Sequence, residues 1–186
     1  MDTRQALIAA SCLSINLALA KVAAVLSLPV YLDSIGTIIA AALLPPLAAI
    51  IVAVFSSFLG GLIVNPYFAA YVGTQFVIAL SALSAMRLGL FRRWWTAIIA
   101  GLFIGIIATV VSAPVTVLLF GGVTLSGTTA INAVLLASGR TIWQSVVGGS
   151  ILVESIDKPT AALMAWLVLG RLPERLHVHR HPASLT

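Results

Sequence analysis

Charge is the scarcest property of this sequence. Asp, Glu, Lys and Arg together make up 8% of its 186 residues, against about 25% in soluble globular domains. Hydrophobic residues supply 61%, and the mean hydropathy is +1.14. So little polar surface cannot cover a folded chain in water, which leaves an integral membrane protein with most of its length in lipid. There is one cysteine, Cys12, which excludes a disulfide framework and a CxxC metal site. Set in an apolar run, it reads as a small packing residue. No GxxxxGK[ST] phosphate loop occurs, so ATP hydrolysis by that route is excluded, and there is no HExxH. The three histidines, His177, His179 and His181, all follow Pro173. They read as part of a disordered tail, and no Ser/His/Asp set can be assembled in the membrane region. No catalytic residue, metal site or cofactor is therefore expected. The formal charge of +5 comes from arginines in short hydrophilic gaps and the tail. That is a topological signature rather than a DNA-reading face, and no nucleic-acid partner is expected. In the N-terminal apolar run no small-residue cleavage site is followed by a soluble mature domain, so it does not read as a cleaved signal.

What is present is long uncharged sequence with sharp punctuation. No Asp, Glu, Lys or Arg lies between Asp33 and Arg87, or between Arg93 and Arg140. A spanning helix needs roughly 20 apolar residues at about 1.5 Å each. A first helix is expected from about Gln5 to Leu28, ending at Pro29. Pro45-Pro46 breaks the next stretch because consecutive prolines remove donors and restrict the residue before them. Asn65-Pro66 marks a second turn. Helices are expected near 34–44, 47–64 and 69–86, then from Trp95 to Phe120, closed by Gly121-Gly122. Beyond Gly127 two readings stand. One is a kinked final helix from around Ile142 to Gly170, and the other a partly buried segment before a shorter last span. Pro159 fits both, as a kink or as the first residue of a helix capped by Asp157.

Arginine placement sets the expected topology. Arg4, then Arg87, Arg92 and Arg93, then Arg171, Arg175 and Arg180 form three basic clusters, all expected to be cytoplasmic. Six crossings satisfy all three, and seven would put the basic tail outside. The expected fold is thus an all-α integral membrane protein with six transmembrane helices and both termini cytoplasmic. Residues 1–176 form its single membrane domain, and 177–186 a disordered cytoplasmic tail.

With this topology the unusual polar residues gather toward the outer side. Polar groups at membrane depth face a cavity or one another, so their convergence points to an outward-opening pocket for a small polar molecule. Asn65 marks the turn above it. Tyr71 and Gln75 are one helical turn apart, just beneath. Arg140, Trp143 and Gln144 present a second polar and aromatic face, where Arg140 either anchors an anionic or carbonyl group or snorkels to the headgroups. Glu154 lies further along and either joins the pocket or simply pairs with Lys158 at i,i+4. Asp33 with Ser34 reads first as a helix N-cap. On the first helix Ala6, Ala10, Ser14 and Ala18 recur every four residues. Such small-residue stripes let helices pack closely in lipid, here either internally or against a partner at the cytoplasmic end.

These pieces occur in four stretches. They are AKVAAVLSLPVYLDSIGT (Ala20 to Thr37), GGLIVNPY (Gly60 to Tyr67), SAPVTVLLFGGVTLSG (Ser112 to Gly127), and Asp157-Lys158 followed by an apolar helix ending LGRLPERL. In them the chain resembles the substrate-binding S components of energy-coupling factor (ECF) vitamin transporters. The resemblance implies six helices, a pocket open to the outside, and a vitamin or related micronutrient as ligand. It implies an AxxxA motif, matched here by Ala6 and Ala10, against a membrane coupling (T) subunit. It also implies two ATPase subunits as the source of energy, and the plasma membrane of a prokaryote as the location. The sequence departs from the thiamine and biotin branches in lacking an aromatic-rich ligand helix, which leaves the ligand open. The alternative reading is a membrane-embedded ligand sensor or scaffold of a signalling system.

Overall fold

The structure is a computed structural model that describes residues 2–124 and 126–173. Arg175, Arg180, the three histidines and the expected 177–186 tail lie outside the described residues. Within them the chain is all helical, with no strand. Helix α1 (Thr3–Val25) starts at a capping box, in which the Gln5 N–H donates to Asp2 Oδ1 at 2.8 Å and the Gln5 side chain answers the Asp2 N–H. It stops three residues before the expected Leu28, where Ser27 takes a positive φ of 50°. Helices α2 (Ile35–Leu43) and α3 (Pro46–Ile63) are divided by the double proline, with Pro46 on the first turn of α3, where its missing N–H breaks no bond. Asn65 caps a 3-10 turn (Pro66–Tyr71) by accepting the Tyr67 N–H at 3.0 Å, so α4 (Val72–Arg87) begins later than expected. Helix α5 (Trp94–Phe120) ends at Gly121 in the left-handed region, φ 57°, a conformation glycine adopts without a Cβ penalty. The segment with two readings forms a short helix α6 (Thr128–Ala137) and a 30-residue α7 (Ile142–Arg171) that carries Pro159 inside it.

Among the described residues four segments are long and apolar enough to cross a membrane: Thr3–Val25, Pro46–Ile63, Pro66–Arg87 and Trp94–Phe120. The others depart for identifiable reasons. Helix α2 has nine residues, all buried, and at about 1.5 Å per residue it covers less than half of a ~30 Å hydrocarbon layer. Helix α7 is long enough but carries Glu154, Asp157 and Lys158 in its middle, all buried.

Packing is apolar on both sides of the bundle. Helix α2 sits at the centre, against α1, α3, α4 and α7. The core around it is rich in small residues such as Ala40, Ala49, Ala82, Ala100, Ala161 and Ala165. The large side chains Phe55, Phe58, Phe103, Ile106 and Val110 point outward and are exposed, as expected where the surrounding solvent is lipid and close backbone approach drives packing. One such close approach joins α5 to α7. A Cβ on Gly101 would lie 2.5 Å from Pro159 Cα, and one on Gly105 would lie 2.9 Å from the Glu154 carbonyl oxygen. Gly122 meets Ile142 and Val146 at the other end of the contact, so α7 runs antiparallel to α5. Near the centre Asn16 joins three helices. Its Nδ2 donates to Thr37 Oγ1 and Ser56 Oγ, both at 2.9 Å, and its Oδ1 accepts the Gly36 N–H at 2.7 Å.

Candidate functional site

Where α1, α3 and α5 end and α4 begins, their connecting segments wall a cavity that reaches down to the middle of α7. Its volume is about 70 Å³, several times the ~10–15 Å³ that one water needs. Tyr31 and Asp33 reach it from the link after α1, Asn65 and Tyr67 from the turn after α3, and Thr74 and Gln75 from the start of α4. Thr116 lines it near the end of α5, and Glu154 and Lys158 close its floor.

The floor is an ion cluster. Lys158 is 1% exposed, and its Nζ meets Asp157 Oδ2 at 2.6 Å, Asp33 Oδ1 at 3.2 Å and Glu154 Oε2 at 3.4 Å. It also lies 5.6 Å from the centre of the Tyr31 ring. Burying an ammonium is tolerable only with such compensation. Asp157 is fully committed, since its Oδ1 also accepts the N–H groups of Tyr31 and Leu32 at 2.9 and 2.8 Å. Those two bonds tie the link after α1 to α7. Asp33 Oδ2 accepts from Gln75 Nε2 at 2.8 Å. Glu154 differs from both. Its contact with Lys158 is close enough for an ion pair, yet Glu154 Oε2 has no hydrogen-bond partner among the described residues. The same holds for Gln75 Oε1 and Thr74 Oγ1. These three buried polar groups share the cavity wall, and an unsatisfied buried polar atom normally calls for a partner.

Of the residues expected from sequence, Asn65, Tyr71, Gln75 and Glu154 line this cavity. Tyr71 shares a hydrogen bond with Thr116 at 2.8 Å and lies beside Phe120. Arg140, Trp143 and Gln144 are elsewhere, which corrects the expectation that their face converges on the same pocket. Arg140 precedes α7, and all three are exposed. Gln144 has a local role in a capping box with Thr141, at 3.3 and 3.1 Å. The N-cap reading of Asp33 and Ser34 is also corrected, because the N-cap residue Ser34 makes no side-chain capping bond and the Asp33 carboxylate turns into the cavity. Asp157 likewise caps no helix, since α7 runs through Pro159 without a break.

Asp33 and Lys158 are the pocket residues that sequence reasoning undervalued, although a signal was present. The chain has five acidic residues, and three of them, Asp33, Glu154 and Asp157, surround one lysine. The small-residue stripe of α1 is not internal packing. Ala6, Ala10, Ser14 and Ala18 are all exposed on the outer face of the bundle.

Helix direction sets the cavity against the arginines. Arg4 opens α1, whereas the cavity lies beyond the end of α1. Arg87 closes α4, and Gln75 lies in its first turn. Arg92 and Arg93 precede α5, whose far end carries Thr116. Arg171 ends α7, about 25 Å beyond Glu154 at ~1.5 Å per residue. Arg4, Arg87, Arg92, Arg93 and Arg171 therefore occupy the end of the bundle opposite the cavity mouth, whereas Lys21 and Arg140 lie toward the cavity end. No protein-family model, curated protein or solved structure matches this chain.

Proposed function

We propose that this chain is the substrate-binding subunit of an ECF-type importer. Six helical segments cross the plasma membrane of a prokaryotic cell with both termini cytoplasmic. The cavity faces outward and captures a vitamin or related small micronutrient. A separate coupling subunit with two ATPases drives its delivery. The observation that carries the reading is the cavity itself, where Gln75, Glu154 and Thr74 hold buried polar atoms without partners among the described residues. Few polar groups set in a mostly apolar wall is the usual make-up of a small-molecule site. The separation of the cavity from Arg4, Arg87, Arg92, Arg93 and Arg171 supports its orientation, since basic residues favour the cytoplasmic face.

In this reading α2 is a broken crossing. Its nine residues are buried on every side, and protein surroundings permit non-helical backbone at membrane depth. The exposed stripe of Ala6, Ala10 and Ser14 begins at the arginine-bearing end and is the surface on which the coupling subunit docks.

Two measurements test the proposal together. Thermal melting of the purified protein against a panel of vitamins and nucleosides is expected to show one ligand class raising the midpoint, since a ligand that binds only the folded state stabilises it. Affinity purification from native membranes is expected to recover two ATPases and a coupling subunit. Recovery of a sensor kinase or response regulator in their place would favour the signalling alternative and sink the transport reading.

A further inference from the structure

Granted that the cavity is a ligand site, its charge inventory speaks to the ligand. Three carboxylates surround a single ammonium, so negative charge is in excess when all four are ionised. A lysine ammonium has three N–H donors; Lys158 gives two of them to Asp33 and Asp157 and stands at ion-pair distance, 3.4 Å, from Glu154. Arg140, the residue best suited to grip an anion, is exposed and away from the cavity. An anionic ligand would therefore meet three carboxylates gathered around the one ammonium.

The unused capacity is chiefly that of acceptors. Gln75 Oε1 and Glu154 Oε2 are acceptors, each without a hydrogen-bond partner among the described residues. Their side chains are more than nine-tenths buried and line the same cavity. Thr74 Oγ1 can donate or accept. The wall adds Tyr31, Tyr67 and Tyr71, aromatic rings whose faces attract cations. Among the described residues no three His, Cys, Asp or Glu side chains are placed to hold a metal ion. In the acidic cluster the Lys158 ammonium already occupies the central position.

We infer that the cavity selects a small organic cation bearing N–H donors, an amine, amidine or protonated nitrogen heterocycle, held between Glu154 and Gln75 against the tyrosine rings. This deepens the ligand-site reading above and rests on it. Glu154 supplies the charge, Gln75 Oε1 accepts a second N–H, and the Asp33–Lys158–Asp157 cluster holds the floor rigid.

The test uses the full-length protein in lipid nanodiscs and two sets of near-isosteric probes measured by titration calorimetry. The first set is benzamidine, benzamide and benzoate. The second is 2-phenylethylamine, 2-phenylethanol and 3-phenylpropanoate. Each cation is expected to bind at least tenfold more tightly than its neutral and anionic counterparts. Glu154→Gln, which keeps the shape and removes the charge, is expected to weaken the cations at least tenfold and the neutral probes less than threefold. A neutral or anionic probe binding as tightly as its cationic counterpart would overturn the cation class and leave the ligand site standing. No binding by any of the six probes would overturn the class and count against the ligand-site reading with it. The wild-type comparison decides alone if the Glu154→Gln protein does not fold.

Discussion

Gln75 donates a 2.8 Å hydrogen bond to Asp33 across 42 residues of sequence. That bond orients both side chains. It holds the Asp33 carboxylate toward Lys158 and leaves Gln75 Oε1 without a partner among the described residues. Gln75 thus supports the ion cluster and presents an unpartnered acceptor in the cavity wall.

Gln75→Ala is therefore expected to weaken the ligand found by thermal screening at least tenfold. Losing a buried hydrogen-bond partner costs about 1–3 kcal/mol, and about 1.4 kcal/mol is a factor of ten in affinity. Arg140→Ala is the contrast, with affinity expected within threefold of wild type because Arg140 lies outside the cavity. Calorimetry on both variants checks this, and the reverse ranking would mean that the ligand sits elsewhere.

Lys158→Met should be among the most damaging substitutions in the chain. It leaves Asp33, Glu154 and Asp157 buried together with no cation, and breaking a buried ion pair by removing one partner costs about 3–5 kcal/mol. The expected result is a large fall in melting temperature in detergent, or loss of the folded protein. Adding Glu154→Gln to Lys158→Met should restore part of the loss, since it removes one of the repelling charges. An unchanged melting curve for Lys158→Met would show that the cluster contributes nothing to stability.

The small-residue stripe separates docking from binding. Ala10 is exposed on α1, at the end of the bundle away from the cavity, so Ala10→Trp is expected to fold and to keep ligand affinity within threefold. Co-purification of the coupling subunit should drop below a tenth of the wild-type yield. Intact assembly would mean that the partner docks on another face.

Orientation can be read by chemical labelling in a Cys12→Ser background. Leu88 lies at the arginine-bearing end and Val123 at the cavity end, and both are exposed. A membrane-impermeant maleimide added to intact cells should label Val123→Cys and spare Leu88→Cys until the membrane is opened. The opposite pattern would invert the topology.

Sequence by itself determined three of the breaks between helices. Pro45-Pro46, Asn65-Pro66 and Gly121 act on the backbone locally, by missing donors, a side-chain cap and a left-handed turn, and the structure breaks at each of them. The scarcity of charge likewise determined the solvent. Which side of each helix faces inward was decided only by tertiary packing. Helices such as α5 are apolar around their whole circumference, and a helix without a polar face carries no periodic signal of its orientation. The rotation of α7 against α5 is instead set by Gly101 and Gly105, which admit the backbone at Pro159 and Glu154. That packing turns Glu154 and Lys158 inward and leaves Arg140, Trp143 and Gln144, near the start of the same helix, exposed. The Asp33–Lys158 pair spans 125 residues. No local pattern announces a bond of that range, because it exists only once the link after α1 is tied to α7 through Asp157.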